Sequence, residues 1–323
     1  MYLITGSAGF IGFHMCNLLL KKNKKVIGID SLNHYYSDSF KLKRLSVLKK
    51  YKNFKFHKIN LCNKEKIKHI FDNHKIKHVI HFAAQPGVVY SYKDPKSYLL
   101  NNILATGNLV EILKDKEIDN FIFASSSSVY GDHKKYPIKE NFKLKPKNYY
   151  AKTKNVCENI IKKKLKNENF TIQIVRPFTV YGPYGRPDML ILKMLSSIRK
   201  NRKINIYNYG KHLRDFTYVS DVTNVIFKLL YNKTKKIKIF NICASKPIEI
   251  NKIIILFNKY LKVKPSIIFK KKRKGEMNIT YGSNQKLKSV IGKFEFTKIE
   301  NGLKKTVDWY KLFKHKKLVD IHK

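Results

Sequence analysis

Apolar residues come in short bursts along this chain, and between the bursts they recur every third or fourth position. "YLIT" (2–5) is an apolar run of strand length, and from Phe10 the apolar residues keep helical spacing through Leu20. "KVIGID" (25–30) is a second strand, ending on Asp30. The alternation continues with strand-like runs "FKFHKI" (54–59), "KHVIHFAA" (77–84), "NFIFASSS" (120–127), "TIQIVRP" (171–177) and "KIFNIC" (238–243). Helical stretches separate them, notably 98–114 and 150–166. Strand and helix in turn predict an α/β fold with a doubly wound parallel sheet. Residues 1–177 are expected to form that sheet, with 219–244 returning to it, and 178–323 a smaller C-terminal substrate domain. Ligands of such sheets bind at the carboxyl ends of the strands. The tips to inspect are Gly6–Gly12, Asp30, Asn60, Ala83–Gln85, Ser125–Ser128 and Phe178–Thr179.

The first tip is rich in glycine. Gly6, Gly9 and Gly12 lie between strand and helix, where they let the backbone turn tightly and approach a pyrophosphate at the helix N-terminus. Asp30 closes the second strand, where a carboxylate accepts both ribose hydroxyls and repels a 2′-phosphate, favouring NAD over NADP. Strand, turn, helix, strand and acid within about thirty residues make the fold Rossmann-type. The G-x-x-G-x-x-G spacing points to short-chain-type dehydrogenases and their extended relatives.

A second constellation carries chemistry. The fifth strand runs into "SSSSVYG" (125–131), and "YYAKTK" (149–154) follows at a helix start. Lysine is so common here that one falls four residues after any tyrosine about one time in five by chance. On a helix, though, Tyr150 shares a face with Lys154 while Tyr149 faces Thr153. A free tyrosine has a pKa near 10. Lys154 and a positive nicotinamide are expected to stabilise its phenolate and lower that value, so that Tyr150 serves as base. A strand-end serine either caps the turn or hydrogen-bonds the same substrate oxygen.

Composition changes the picture little. With 43% hydrophobic and 13% aromatic residues in 323, the chain is globular rather than disordered. Its longest apolar runs, such as "IIILF" (253–257), are too short to span a bilayer, and the strand-like run at residue 2 leaves no room for a leader, so a cytoplasmic protein is expected. Cys16, Cys62, Cys157 and Cys243 are scattered without a CxxC pair, which predicts reduced thiols and no metal site. The net charge of +46 suggests a nucleic-acid partner, yet only seven of the cations are arginines, and the lysines are spread along the whole chain. With Ile and Asn abundant as well, compositional drift of an AT-rich coding sequence is the preferred reading, and no nucleic-acid or membrane partner is expected.

The ordered blocks "LITGSAGFIGFH", "IDSLNHYY", "HFAAQPGV", "SSSSVYG", "YAKTK", "RPFTVYGPYGRPDM", "GKHLRDFTYVSDV" and "FNICASKPIEI" cover nearly the whole chain. They resemble the extended short-chain dehydrogenases/reductases that epimerise nucleotide sugars, and among them the UDP-glucuronate 4-epimerases. The resemblance implies Ser126, Tyr150 and Lys154 as the catalytic set. It implies NAD contacts from Gly6, Gly9, Phe10, Ile11, Gly12, Asp30, Asn33, Asn60, Leu61, Ala83, Ala84, Gln85, Asn102, Tyr150, Lys154 and Phe178. It implies UDP-sugar contacts from Ser127, Ser128, Thr179, Arg186, Arg214, Arg273 and Glu276, and a homodimer built on helices 98–114 and 150–166. Two positions depart from the family: Asn60 replaces an Asp near the adenine, and Lys274-Gly275-Glu276 replaces Pro-Gly-Asp. Relatives that dehydrate or decarboxylate carry an acid just before Val-Tyr-Gly, where Ser127 and Ser128 stand here. A 4-epimerase of neutral UDP-hexoses or UDP-N-acetylhexosamines stays open as the alternative.

Overall fold

Strand β1 (Tyr2–Thr5) is buried at every residue, as a strand covered on both faces must be. It lies inside a seven-stranded sheet in a computed structural model that describes residues 1–233, 236–263, 265–273 and 276–314. The other strands are β2 (Val26–Asp30), β3 (Phe54–Lys58), β4 (His78–His81), β5 (Asn120–Ala124), β6 (Thr171–Pro177) and, after three strands outside this sheet, β10 (Lys238–Ile242). Their order is β10-β6-β5-β4-β1-β2-β3, and every neighbouring pair is parallel. Two apolar layers flank the sheet. One is centred on Phe13, Leu19, Val222 and Ile226, the other on Leu109, Phe121, Cys157 and Ile161. The sheet is therefore wound on both faces, as the sequence pattern predicts.

The register brings the strand ends level. Thr5 pairs with Ile29 on one side and His81 on the other, so the turns after β1, β2 and β4 open at one edge. His81 is fully buried between Thr5 Oγ1 (2.6 Å) and Thr106 Oγ1 (3.0 Å), and burial pushes its pKa down to about 3. A neutral imidazole thus stitches β1, β4 and the helix Ala105–Leu113 together beneath that edge.

The chain between β6 and β10, and after β10, builds a second layer. Strand β9 (Leu213–Tyr218) pairs with β7 (Thr179–Tyr181), β11 (Pro247–Glu249) and β13 (Ile279–Thr280). Strand β8 (Ile204–Tyr207) pairs with β12 (Ile267–Lys270). Helices Leu190–Arg199, Ile250–Leu261 and Ile299–Lys314 close a separate core around Phe216, Phe257 and Leu303. Strand β10 and the helix Val219–Leu229 pack back on the large sheet, against β6 and the helix Phe10–Lys21.

One helix differs from its periodicity. The stretch expected as 98–114 begins at Pro95, passes through a π-helical segment Leu99–Leu104, and runs on as Ala105–Leu113. The wider π turn rotates the residues after it relative to those before. Among the described residues, no helix is long and apolar enough to cross a membrane, and no His, Cys, Asp and Glu group is placed to hold a metal.

Candidate active site

The level strand ends form the floor of a cleft of about 710 Å³ between the two layers. At one end Gly6, Gly9 and Gly12 make a tight cradle. Gly6 has φ +70°, and a Cβ there would stand 2.8 Å from Ala83 N; a Cβ on Gly12 would stand 2.1 Å from Gly6 O. The turn and the helix start therefore require glycine. Helix Phe10–Lys21 follows with no acidic residue in its first turn, leaving its N-terminal N–H groups to an anion. Asp30 accepts from Ala8 N (3.0 Å) and Leu32 N (2.8 Å), which fixes its carboxylate at the tip of β2 and leaves lone pairs for a ribose. Phe10, Ile11, Asn33, Asn60, Leu61, Ala83 and Ala84 also line the cleft. An elongated diphosphate flanked by a diol fits these groups.

Two residues of the expected cofactor set lie elsewhere. Gln85 and Asn102 are 3% and 1% exposed and sit under the floor. Asn102 Oδ1 accepts from Gln85 N at 2.7 Å, and its Nδ2 donates to Thr153 Oγ1 at 2.9 Å. They brace the loop after β4 from within, Asn102 from its place in the π segment. Asn60 Oδ1 accepts from Cys62 N at 2.9 Å, so its carbonyl is partly engaged locally.

The middle of the cleft carries the reactive groups. Ser126 caps the 3₁₀ turn Ser127–Tyr130, its Oγ accepting from Ser128 N at 3.2 Å and donating to Ser128 Oγ at 3.1 Å. Asn148 caps the helix Tyr149–Lys164, accepting from Ala151 N at 2.9 Å, which starts the helix with Tyr150 turned into the cleft. Tyr149 points outward, 46% exposed, against Tyr92. Burial raises the Tyr150 phenol above its usual value, opposed by a hydrogen bond with Ser126 and by the charge of Arg186.

The expected lowering by Lys154 is not seen there. Lys154 Nζ donates instead to Ala124 O at 2.7 Å, and burial brings its pKa down to about 8, against the pull of Cys157 and Glu158. Its ammonium is tied to the end of β5. Directly behind, Glu158 takes Ser125 Oγ (2.6 Å) and both arms of Arg176 (2.9 and 2.6 Å), all of them buried.

The far end is lined by Arg214, Arg273 and Glu276. Arg273 packs its guanidinium 3.9 Å above the Tyr207 ring and donates to Glu276 Oε1 at 2.9 Å. Arg214 donates to Leu213 O, Asn278 O and Met277 O. Lys274 and Gly275, the altered pair in the sequence, lie outside the described residues. Phe178, Thr179, Ser127 and Ser128 line the middle. Arg186 does too, but its fork is filled: Nε and Nη2 bind the two oxygens of Asp188 at 3.0 and 2.5 Å. The guanidinium expected at the sugar is thus already paired within the chain. Sequence reading also passed over Tyr35, Lys41 and Asp188, which line the same cleft. An Arg-x-Asp pair inside a Gly- and Pro-rich loop was the signal for Asp188.

A dinucleotide cradle, a Ser–Tyr–Lys centre and an arginine-lined end in one cleft agree with the match of residues 2–243 to the model of the NAD dependent epimerase/dehydratase family. The chain belongs to this family. Among relatives, it is 38% identical over 312 residues to a UDP-glucuronate 4-epimerase of Thermodesulfobacterium geofontis, covering 96% of each chain. It is 33% identical to UDP-glucuronate 4-epimerase 4 of Arabidopsis thaliana, over 95% of this chain and 74% of that one. Its fold matches a UDP-glucuronic acid 4-epimerase of Bacillus cereus, solved with UDP-glucuronic acid and NAD, at a TM-score of 0.91 and 31% identity, covering 97% and 99% of the two chains.

Proposed function

We propose that the protein is an NAD-dependent epimerase that inverts C4 of UDP-glucuronate to give UDP-galacturonate. The observation that carries this reading is the placement of Tyr150 and Ser126 midway between the glycine cradle and the arginine-lined end. The likeness to UDP-glucuronate 4-epimerases along nearly the whole chain supports it. Bound NAD would supply a hydride acceptor and donor for the sugar carbon. Gly6, Gly9, Gly12 and the helix N-terminus would hold its pyrophosphate, and Asp30 its ribose. Residues 1–177 with 219–244 would carry the cofactor, and most of 178–323 the UDP-sugar.

Tyr150 takes the proton from the 4-hydroxyl, and Ser126 holds that oxygen by a hydrogen bond. The same phenol returns the proton once the 4-keto sugar has turned over. That keto sugar is a β-keto acid, so its carboxylate must be held against loss as CO₂. Ser127, Ser128 and Thr179 are uncharged donors suited to this, and no acid stands among them to promote elimination. Arg214, Arg273 and Glu276 would anchor the UDP. The test is product analysis by NMR after incubation with UDP-glucuronate, UDP-glucose and UDP-N-acetylglucosamine. UDP-galacturonate should form, with no net NADH. A clear preference for a neutral sugar would move the assignment to a UDP-hexose 4-epimerase.

Two properties of the partners follow. Leu99, Leu100, Leu104, Tyr149 and Val156 are exposed on the helical segments expected at a dimer interface. Wild type should elute as a dimer in light-scattering chromatography and Leu104→Glu as a monomer; a monomeric wild type at tens of micromolar, on the order of a standard interface affinity, would count against the pairing. Despite the charge of +46, no nucleic-acid partner is proposed. Gel-shift assays at physiological salt should show no tight binding, and nanomolar binding that survives high salt would reverse this. The four free cysteines fit a reducing, cytoplasmic setting.

A further inference from the structure

The Arg186–Asp188 pair stands beside the reacting groups without being needed by the proton transfer. It is reached from both layers. Asp188 Oδ2 also accepts from the Tyr35 hydroxyl at 3.0 Å, and the Arg186 guanidinium lies 5.9 Å above the Tyr35 ring. Tyr35 belongs to the segment after β2, while Arg186 and Asp188 belong to the loop after β7. Their side chains are only 21% and 28% exposed. The carboxyl of Asp188 is raised by burial, but Arg186 and Tyr35 outweigh this and hold it below its usual value. Arg186 lines the same cleft as Tyr150, Ser127, Ser128 and Thr179, so its guanidinium shares the chamber in which the sugar reacts.

In UDP-glucuronate the acid group sits on the carbon next to C4, and must therefore come close to Arg186. A free guanidinium would fork onto that carboxylate in a bidentate ion pair. Such a grip would have to break each time the oxidised sugar turns to present its other face. We propose that Asp188 determines how the sugar acid is held: by filling the Arg186 fork it withholds a full positive charge and leaves the acid to the hydroxyls of Ser127, Ser128 and Thr179. Hydroxyls rotate and exchange partners, so the acid stays satisfied but unclamped. Asp188 acts through Arg186 and is a positioning residue. The inference rests on UDP-glucuronate as the substrate.

The test is a cycle of Asp188→Asn, Arg186→Ala and the double variant. Dissociation constants for UDP-glucuronate, UDP-glucose and UDP are measured by calorimetry, and kcat and KM for UDP-glucuronate alongside. In Asp188→Asn the freed guanidinium should tighten UDP-glucuronate by about tenfold, with UDP-glucose and UDP within about twofold of wild type. KM and kcat should fall together, as expected when a ground-state grip must be released. Arg186→Ala leaves the Asp188 carboxylate unpaired against the substrate acid, and should weaken UDP-glucuronate by about tenfold or more. The double variant should recover most of that loss. Unchanged or weaker UDP-glucuronate binding in Asp188→Asn, or a double variant no better than Arg186→Ala, would overturn the proposal. If Asp188→Asn does not fold, the comparison of Arg186→Ala with the double variant decides it. A wild type that turns over only UDP-glucose would overturn the substrate reading instead, while the binding ratios still report whether Asp188 withholds the charge.

Discussion

Tyr150→Phe should lose about 10²–10⁴-fold in turnover while binding NAD and UDP as well as wild type does. Phenylalanine fills the same space at the start of the helix Tyr149–Lys164 and lacks only the oxygen proposed to exchange a proton with the sugar. Tyr149→Phe is the control. Its hydroxyl belongs to an exposed ring packed on Tyr92, outside the cleft, so it should change kcat by less than about twofold. Single-turnover reduction of bound NAD, followed by absorbance, separates the chemical step from binding. Equal losses in both variants would remove Tyr150 from its role. Burial holds the Tyr150 phenol above its usual value, so activity should climb toward alkaline pH until the phenolate forms.

Glu158→Ala should cost about 3–5 kcal/mol of stability, because it strands the buried Arg176 guanidinium without its partner. That is a large share of the roughly 5–15 kcal/mol a domain of this kind possesses. Arg176 would keep Tyr130 Oη at 2.8 Å, which cannot neutralise it. Ser125 would lose its 2.6 Å acceptor, loosening the end of β5 on which Ser126 and the Lys154 contact both depend. Urea unfolding of both proteins checks this, and a midpoint within error of wild type would exclude the pair as a support of the site. The effect should also depend on pH. Although burial alone would raise it, Arg176 and Ser125 hold the Glu158 carboxyl below its ordinary 4.5. Its stabilisation is therefore full above that value and is lost as pH falls through the lower, folded one. The gap between wild type and variant should close only in strong acid.

The parts of the site that were legible in the sequence are those fixed by local geometry. Three glycines at three-residue spacing can do little but turn tightly before a helix, and an acid ending β2 sits at a strand tip in any parallel sheet. Tyr150 and Lys154 share a helix face by spacing alone, and both do line the cleft. What the spacing could not give was the partner of Lys154, which depends on where Ala124 O lies across the fold. Asn102 was placed at the cofactor by resemblance alone, and only the fold shows it buried beneath the cleft in a π segment that no propensity marks in "LLNNIL". Arg186 was read as a donor for the sugar although Asp188 stands two residues on, because that spacing in a loop does not by itself fix whether the two side chains meet. Asp188 meets it only when the loop after β7 folds back under Tyr35.

Strand β10 has a consequence for how the chain is made. The ribosome finishes β6 at Pro177, but β6 gains its outer neighbour only when residues 238–242 emerge, roughly 65 residues and several seconds later at about 5–20 residues per second. Until then the nascent chain carries an open edge, "TIQIVRP", and the helix Phe10–Lys21 lacks the cover of Val219–Leu229. Much of the second layer is synthesised within that interval. The seven-stranded sheet can therefore be completed only after that part of the second layer has been made. Recombination that cut the gene after codon 177 would not release a module, but a sheet with one exposed side.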